Sequence, residues 1–207
     1  SVLAAAEAYR AMGAEIVEAS MPSLKYAISA YYVIASAEAS SNLARFDGVK
    51  YGYRAEGCNS YEEMITKTRA EGFGSEVKRR ILLGTYALSS GYYDAYYKKA
   101  VALREIIKSE YNEIFKTCDA ILTPTAPTTA FGANDNDDDP VQMYLADICT
   151  VTVNIAGLPA ISTTCGYDKN GLPIGMSLVG KAFDELTILQ LADAYERGFR
   201  RIEPAAL

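Results

Sequence analysis

The stretch PAISTTCGYDKNGLPIGMSLVG, residues 159–180, limits the fold more than any other part of the chain. Two runs rich in β-branched and apolar residues flank Asn170-Gly171. That dipeptide accepts the positive φ angles a hairpin turn demands, so two antiparallel strands are predicted here. DAILT (119–123) reads as a short buried strand, and the prolines of the following PTAPTTAFG exclude further ladder pairing. Residues 15–19 alternate like another strand.

Helical patterns occupy the rest. Leu3, Ala6, Tyr9 and Met12 recur at helical spacing before Gly13 stops the helix. KYAISAYYVIASAEASSNLARF (25–46) predicts a buried helix whose small residues allow close packing. After a turn-rich loop (47–63), Ser60 and Glu63 form a capping-box signature for a short helix to about Arg69. Ser75 is a candidate N-cap for the next helix. From Tyr92 to Lys116 an amphipathic helix follows the three-to-four rule through Tyr93, Tyr97, Ala100, Leu103, Ile107, Tyr111 and Ile114. A helix is predicted from Val141 to about Thr150, and Asp184 caps a last one with Leu186, Leu189, Tyr195 and Phe199 on its inner side. Strands mixed with helices and a hairpin predict an α/β fold with a mixed sheet under helical layers.

Composition narrows function by exclusion. The 207 residues include no histidine and no tryptophan. A Ser–His–Asp triad, a Cys–His pair and a His-ligated metal are therefore excluded on this chain. A net charge of −6 argues against the chain being a main nucleic-acid surface. Cys58, Cys118, Cys149 and Cys165 are scattered with no CxxC pair, which reads as reduced thiols in a cytoplasmic protein. No apolar run reaches the ~18–20 residues of a membrane span. The acidic loop ANDNDDDP (133–140) lacks the glycine and closing glutamate of a calcium-binding EF-hand, and reads as a solvated surface loop. The serines available as hydroxyls, Ser40, Ser41, Ser89, Ser90 and Ser162, stand in no GxSxG context. The chain opens without methionine inside an apparent helix, and a piece of a longer polypeptide is expected.

Two polar placements invite a ligand. EVKRRILLGTYALSSGYYDAYYKKA (76–100) puts Lys78, Arg79 and Arg80 near a helix start, where the macrodipole disfavours cations. Arg80 shares a side with Val77, Ile81, Gly84 and Ala87, and Arg79 with Leu83 and Tyr86. Because the helix is apolar nearly all round, spacing alone does not decide which guanidinium is buried. A desolvated arginine needs a carboxylate or similar acceptor, and an internal Asp or Glu is favoured over a substrate on these grounds. Asp147 lies between Ala146 and Ile148 in an otherwise apolar segment. It could cap a turn, pair with an arginine or hold an ammonium. Together the two residues would suit a free amino acid. The tyrosines at 92, 93, 96 and 97 read as a structural stripe, and Tyr31 and Tyr32 as packing or cleft-lining.

Four stretches resemble the amidase-signature family: YYVIASAEASSNLARFDGVKYGYR, the segment EGFGSEVKRRILLGTYALSSGYYDAYYKKA, ILTPTAPTTAF, and VNIAGLPAIS with GLPIGMSLVGKAFDE. Within the family they are most similar to the glutaminase subunits of tRNA-dependent amidotransferases, over residues 1–196. The resemblance implies the C-terminal part of an amidase domain over 1–207, in an α/β/α fold whose large mixed sheet is covered by helices. It also implies a Lys–Ser–Ser triad, carried by a Gly/Ser-rich N-terminal region that this sequence does not contain. No catalytic residue is thus expected on this chain, which alone should be inactive. By motif position, Arg80 would grip the glutamine carboxylate, Asp147 would take its α-amino group, and Tyr31 would line the pocket. The family's partners would be subunits B and C in a heterotrimer. ATP and magnesium would be held by a partner subunit, which would also make most of the tRNA contacts. This reverses the preference for an internal partner of Arg80. Two other expectations stay open: an amidase acting on a different amide, and a free-standing amino-acid-binding module.

Overall fold

The computed structural model describes residues 1–132 and 140–199. Residues 133–139 of the acidic loop and the C-terminal tail fall outside these residues. The chain divides into two compact units, one of Ser29–Leu103 and one of Ser1–Ile28 with the residues from Arg104 onward.

The second of these carries the sheet. β1 (Ala120–Pro124), β2 (Ala160–Tyr167) and β3 (Pro173–Gly180) pair in the order β1-β3-β2, antiparallel throughout. The α/β class is as predicted, but the sheet among the described residues is antiparallel rather than mixed. One reason is that residues 15–19 form no ladder there: they run extended after α1 (Val2–Ala11), with Ile16 packed on the core and Val17 exposed. Alternation gives a segment one apolar side, but a strand also needs a backbone partner.

The hairpin turn is wider than a two-residue connection. Asp168 organises it, its carboxylate accepting the amides of Asn170 (2.8 Å) and Leu172 (2.9 Å), while Gly171 takes φ 81°. These amides hold the Asp168 carboxyl below its ordinary pKa.

Ala5, Ala8 and Tyr9 of α1 pack with Met176 and Leu178 of β3 and with Ile188, Ala192 and Tyr195 of α8 (Glu185–Phe199). The Tyr9 hydroxyl donates to the Leu191 carbonyl (2.9 Å), and burial, with Tyr195 nearby, pushes its pKa up to about 12. Ser177 and Val179 alternate to the opposite face of β3 and are buried too, so both faces of that central strand are covered. The inner stripe of α8 differs from the predicted one. Leu186 and Leu189 are exposed, and Ile188 stands about 200° around the wheel from Leu186. Apolarity alone does not select the packed face.

Among the remaining helices the capping signal at Ser60 is followed and that at Ser75 is not. In α3 (Tyr61–Gly72), Ser60 accepts the Glu63 amide (3.1 Å), and the Glu63 carboxylate reaches back to the Asn59 amide (2.8 Å). α4 spans Ser75–Leu88, with Gly74 rather than Ser75 as its N-cap. α5 covers Lys98–Ile114, and its predicted inward positions Ala100, Ile107 and Tyr111 are buried. It is preceded by a π-helical turn, Tyr93–Tyr97, instead of an extra α-turn. The tyrosine stripe there is largely exposed: Tyr92 lies between Tyr86 (4.1 Å between ring centroids) and Tyr96 (5.9 Å), so these rings pack on one another at the surface. The helix predicted over 141–150 breaks into α6 (Pro140–Leu145), a 3-10 turn (Ala146–Cys149) and α7 (Val151–Ala156), which Gly157 ends in the left-handed conformation. No helix among the described residues is long and apolar enough to cross a membrane.

Candidate functional site

Small residues build the Ser29–Leu103 unit around α2 (Ala27–Asn42) and α4. Ala30, Ser36 and Ala37 are buried on α2, and Gly84 and Ala87 on α4. At Gly84 the two backbones nearly touch: a Cβ there would lie 1.9 Å from the Ser36 carbonyl oxygen. One helical turn earlier on each chain segment stand Arg80 and Tyr32. The Arg80 guanidinium carbon lies 5.5 Å from the centroid of the Tyr32 ring, in range of a cation–π contact. Tyr31 meets Tyr32 edge-on, with centroids 5.2 Å apart and planes at 84°.

This geometry answers which guanidinium faces inward. The side of α4 bearing Arg80 is the one that holds buried Gly84 and Ala87, whereas Leu83 and Tyr86 on the Arg79 side are exposed. The Arg80 side chain is 34% exposed and the Arg79 side chain 46%. A common carboxylate also bridges them. Glu76 accepts from Arg80 Nε (2.9 Å) and from Arg79 Nη1 (2.5 Å). Glu76 lies in the first turn of α4, where a negative charge suits the macrodipole and relieves the cations that follow. The internal partner considered from sequence therefore exists. At this exposure a helical i,i+4 pair contributes only about 0.3–0.5 kcal/mol.

Asp147 belongs to the other unit, and its apolar sequence neighbours do not bury it. It sits, partly exposed, in the 3-10 turn between α6 and α7, flanked by exposed Leu145 and Ile148. Its carbonyl accepts the amide and hydroxyl of Thr150 (2.9 and 3.0 Å). The apolar neighbours in sequence are therefore not a buried surround.

Four of the available serine hydroxyls are engaged in structural bonds. Ser40 and Ser41 donate to the Ala37 carbonyl, Ser89 donates to that of Tyr86, and Ser162 shares a hydrogen bond with Thr125. An open cavity of about 650 Å³ lined by residues 54–61 and Met64 contains none of the predicted site residues. Glu76 is the position that sequence reading passes over, and Tyr32 is read there only as packing or cleft-lining. The Glu76 signal is the Glu-to-Arg spacing of four, whereas Tyr32 differs from Tyr31 only by the roughly 100° between adjacent helix positions.

An ordered guanidinium against an aromatic face is suited to a planar anion such as a carboxylate. Residues 1–189 match the amidase family model, and the chain belongs to the amidase family. It is 60% identical over 197 residues to the A subunit of glutamyl-tRNA(Gln) amidotransferase from Brevibacillus brevis, a match that covers 95% of this chain and 40% of that protein. The corresponding protein of Ruminiclostridium cellulolyticum is 62% identical over 188 residues, covering 91% of this chain and 39% of the relative. The chain thus spans about 40% of the length of these relatives. Among solved structures it is similar to the same amidotransferase protein from Thermotoga maritima, at TM-score 0.69 and 39% identity over 95% of this chain and 37% of that one. A bacterial aryl acylamidase shares the fold at TM-score 0.68 and 19% identity, covering 96% of this chain and 39% of its own.

Proposed function

We propose that this chain supplies the substrate-holding part of a glutaminase subunit in a tRNA-dependent amidotransferase, its two units being parts of one amidase domain. The observation that carries this reading is the 60% identity, across 95% of the chain, to a protein named for glutamyl-tRNA(Gln) amidation. In this reading the subunit hydrolyses glutamine to glutamate and ammonia. Arg80 binds the glutamine carboxylate, Asp147 binds the α-ammonium, and Tyr31 lines the site. The ammonia passes to the B subunit, which holds ATP and magnesium and most of the tRNA, while the C subunit tethers the other two. The net charge of −6 accords with tRNA being held mainly elsewhere. A cytoplasmic location follows from the same role. An amidase for apolar amides is a poorer fit, since an apolar substrate would make the charges of Arg80 and Asp147 liabilities.

The test is a chimera in which this sequence replaces the matching segment of the Brevibacillus relative, assembled with that organism's partner subunits. The 207-residue chain alone should release no ammonia from glutamine, because binding groups without a nucleophile cannot form an acyl-enzyme. The chimera should amidate glutamyl-tRNA(Gln) with either glutamine or ammonium as nitrogen source. A chimera that used ammonium but not glutamine would overturn the assignment.

Asp147→Asn in the chimera should raise the KM for glutamine about tenfold, the loss expected for one charge-assisted hydrogen bond at a partly exposed site. Its melting temperature should stay put, since Asp147 is not deeply buried. An unchanged KM would return Asp147 to a purely local role in its turn.

A further inference from the structure

Arg80 is a long side chain with many rotamers, and a carboxylate ligand must find its guanidinium fork already aimed. Two neighbours do the aiming. The Tyr32 ring lies against the guanidinium (5.5 Å to the centroid), which restricts the plane of the fork. Glu76 takes the Nε edge at 2.9 Å, which restricts rotation about the end of the side chain. Tyr32 is held in turn by its T-shaped contact with Tyr31 and by the α2–α4 contact at Gly84 one turn away. We propose that Tyr32 and Glu76 are positioning residues for the amino-acid substrate, fixing Arg80 so that its Nη edge meets the substrate carboxylate. This inference rests on the assignment of Arg80 to that carboxylate.

The device has a directional consequence. Because a pre-aimed arginine loses less freedom when the ligand arrives, loosening it weakens substrate binding and leaves the chemical step alone. The ring face, not the phenol hydroxyl, makes the contact, so phenylalanine should serve as well as tyrosine at position 32. Glu76 acts through both charge and shape, so glutamine at 76 keeps the hydrogen-bonding outline but loses the charge attraction.

In the chimera, Tyr32→Leu should raise the KM for glutamine about tenfold with kcat within about twofold, the scale of one cation–π contact between surface and interior. Tyr32→Phe should restore the parent KM, and Glu76→Gln should fall between the two. On an Arg80→Ala background, Tyr32→Leu should add nothing further, since there is no guanidinium left to aim. Ammonium-dependent amidation, which needs no glutamine site, reports that each variant is folded and assembled. Three results overturn the inference: a Tyr32→Phe defect equal to that of Tyr32→Leu, a loss confined to kcat, or full additivity with Arg80→Ala. If instead Arg80→Ala itself leaves the glutamine KM unchanged, the assignment of Arg80 has failed, and the two failures are told apart.

Discussion

Replacing Arg80 by alanine should lower kcat/KM for glutamine in the chimera by about 30-fold or more, while ammonium-dependent amidation persists. Truncating one partner of a buried, hydrogen-bonded charge pair costs about 2–5 kcal/mol. With its side chain 34% exposed, Arg80 belongs near the lower end, and about 2 kcal/mol corresponds to roughly 30-fold. Folding should hardly change, because the Glu76 pair contributes only a few tenths of a kcal/mol. Arg79→Ala is the matched control. It carries the same charge, shares the same Glu76 carboxylate, and lies on the side of α4 with exposed Leu83 and Tyr86. Its loss should leave the glutamine KM within about twofold, the size of a surface contact. Equal defects in the two variants would mean that net charge near the start of α4, and not a fixed guanidinium, is what glutamine meets. Arg80→Lys should fall between, since an ammonium keeps the charge but not the planar fork.

The sequence makes the local signals of this fold readable and leaves its partnerships obscure. Asn170-Gly171 locates the hairpin and the Ser60–Glu63 pair locates the start of α3, because turn and cap chemistry act within a few residues. The segment at 15–19 alternates correctly yet pairs with no strand among the described residues. Leu186 and Leu189 show the same limit on a helix, since which face packs depends on what else is there.

The candidate site divides along that line. Periodicity puts Arg80 on a side with Gly84 and Ala87 but does not say that this side is buried. The reason is the Ser36 carbonyl lying against Gly84, a contact between residues 48 positions apart. Asp147 has apolar neighbours in sequence, yet Leu145 and Ile148 are exposed in the structure and Asp147 is only partly buried. Family resemblance, not spacing, is what singles out Tyr31, Arg80 and Asp147 as a set.

Gly84→Ala tests the contact from which the site is built, and the sign of its effect is decisive. In an exposed mid-helix position the exchange stabilises by about 1 kcal/mol, because alanine is the better helix former. Here the new methyl would stand 1.9 Å from the Ser36 carbonyl oxygen, 2.4 Å from its carbon and 2.8 Å from Ser40 Oγ. Two of these atoms are backbone, so no side-chain rotation relieves the clash, and α4 has to move away from α2. Overpacking of this kind costs about 1–3 kcal/mol, sometimes more. The net change should be destabilising, and for a chain of this size each kcal/mol lowers the melting temperature by about 2–4 °C. Moving α4 also carries Arg80 off the Tyr32 ring, since both pairs lie on the same two helices one turn apart. The glutamine KM should therefore rise in Gly84→Ala at temperatures well below melting, while ammonium-dependent amidation continues. A variant that melted higher than the parent and bound glutamine as well would show that the helices are not in this contact, and the support of Arg80 would have to be sought elsewhere.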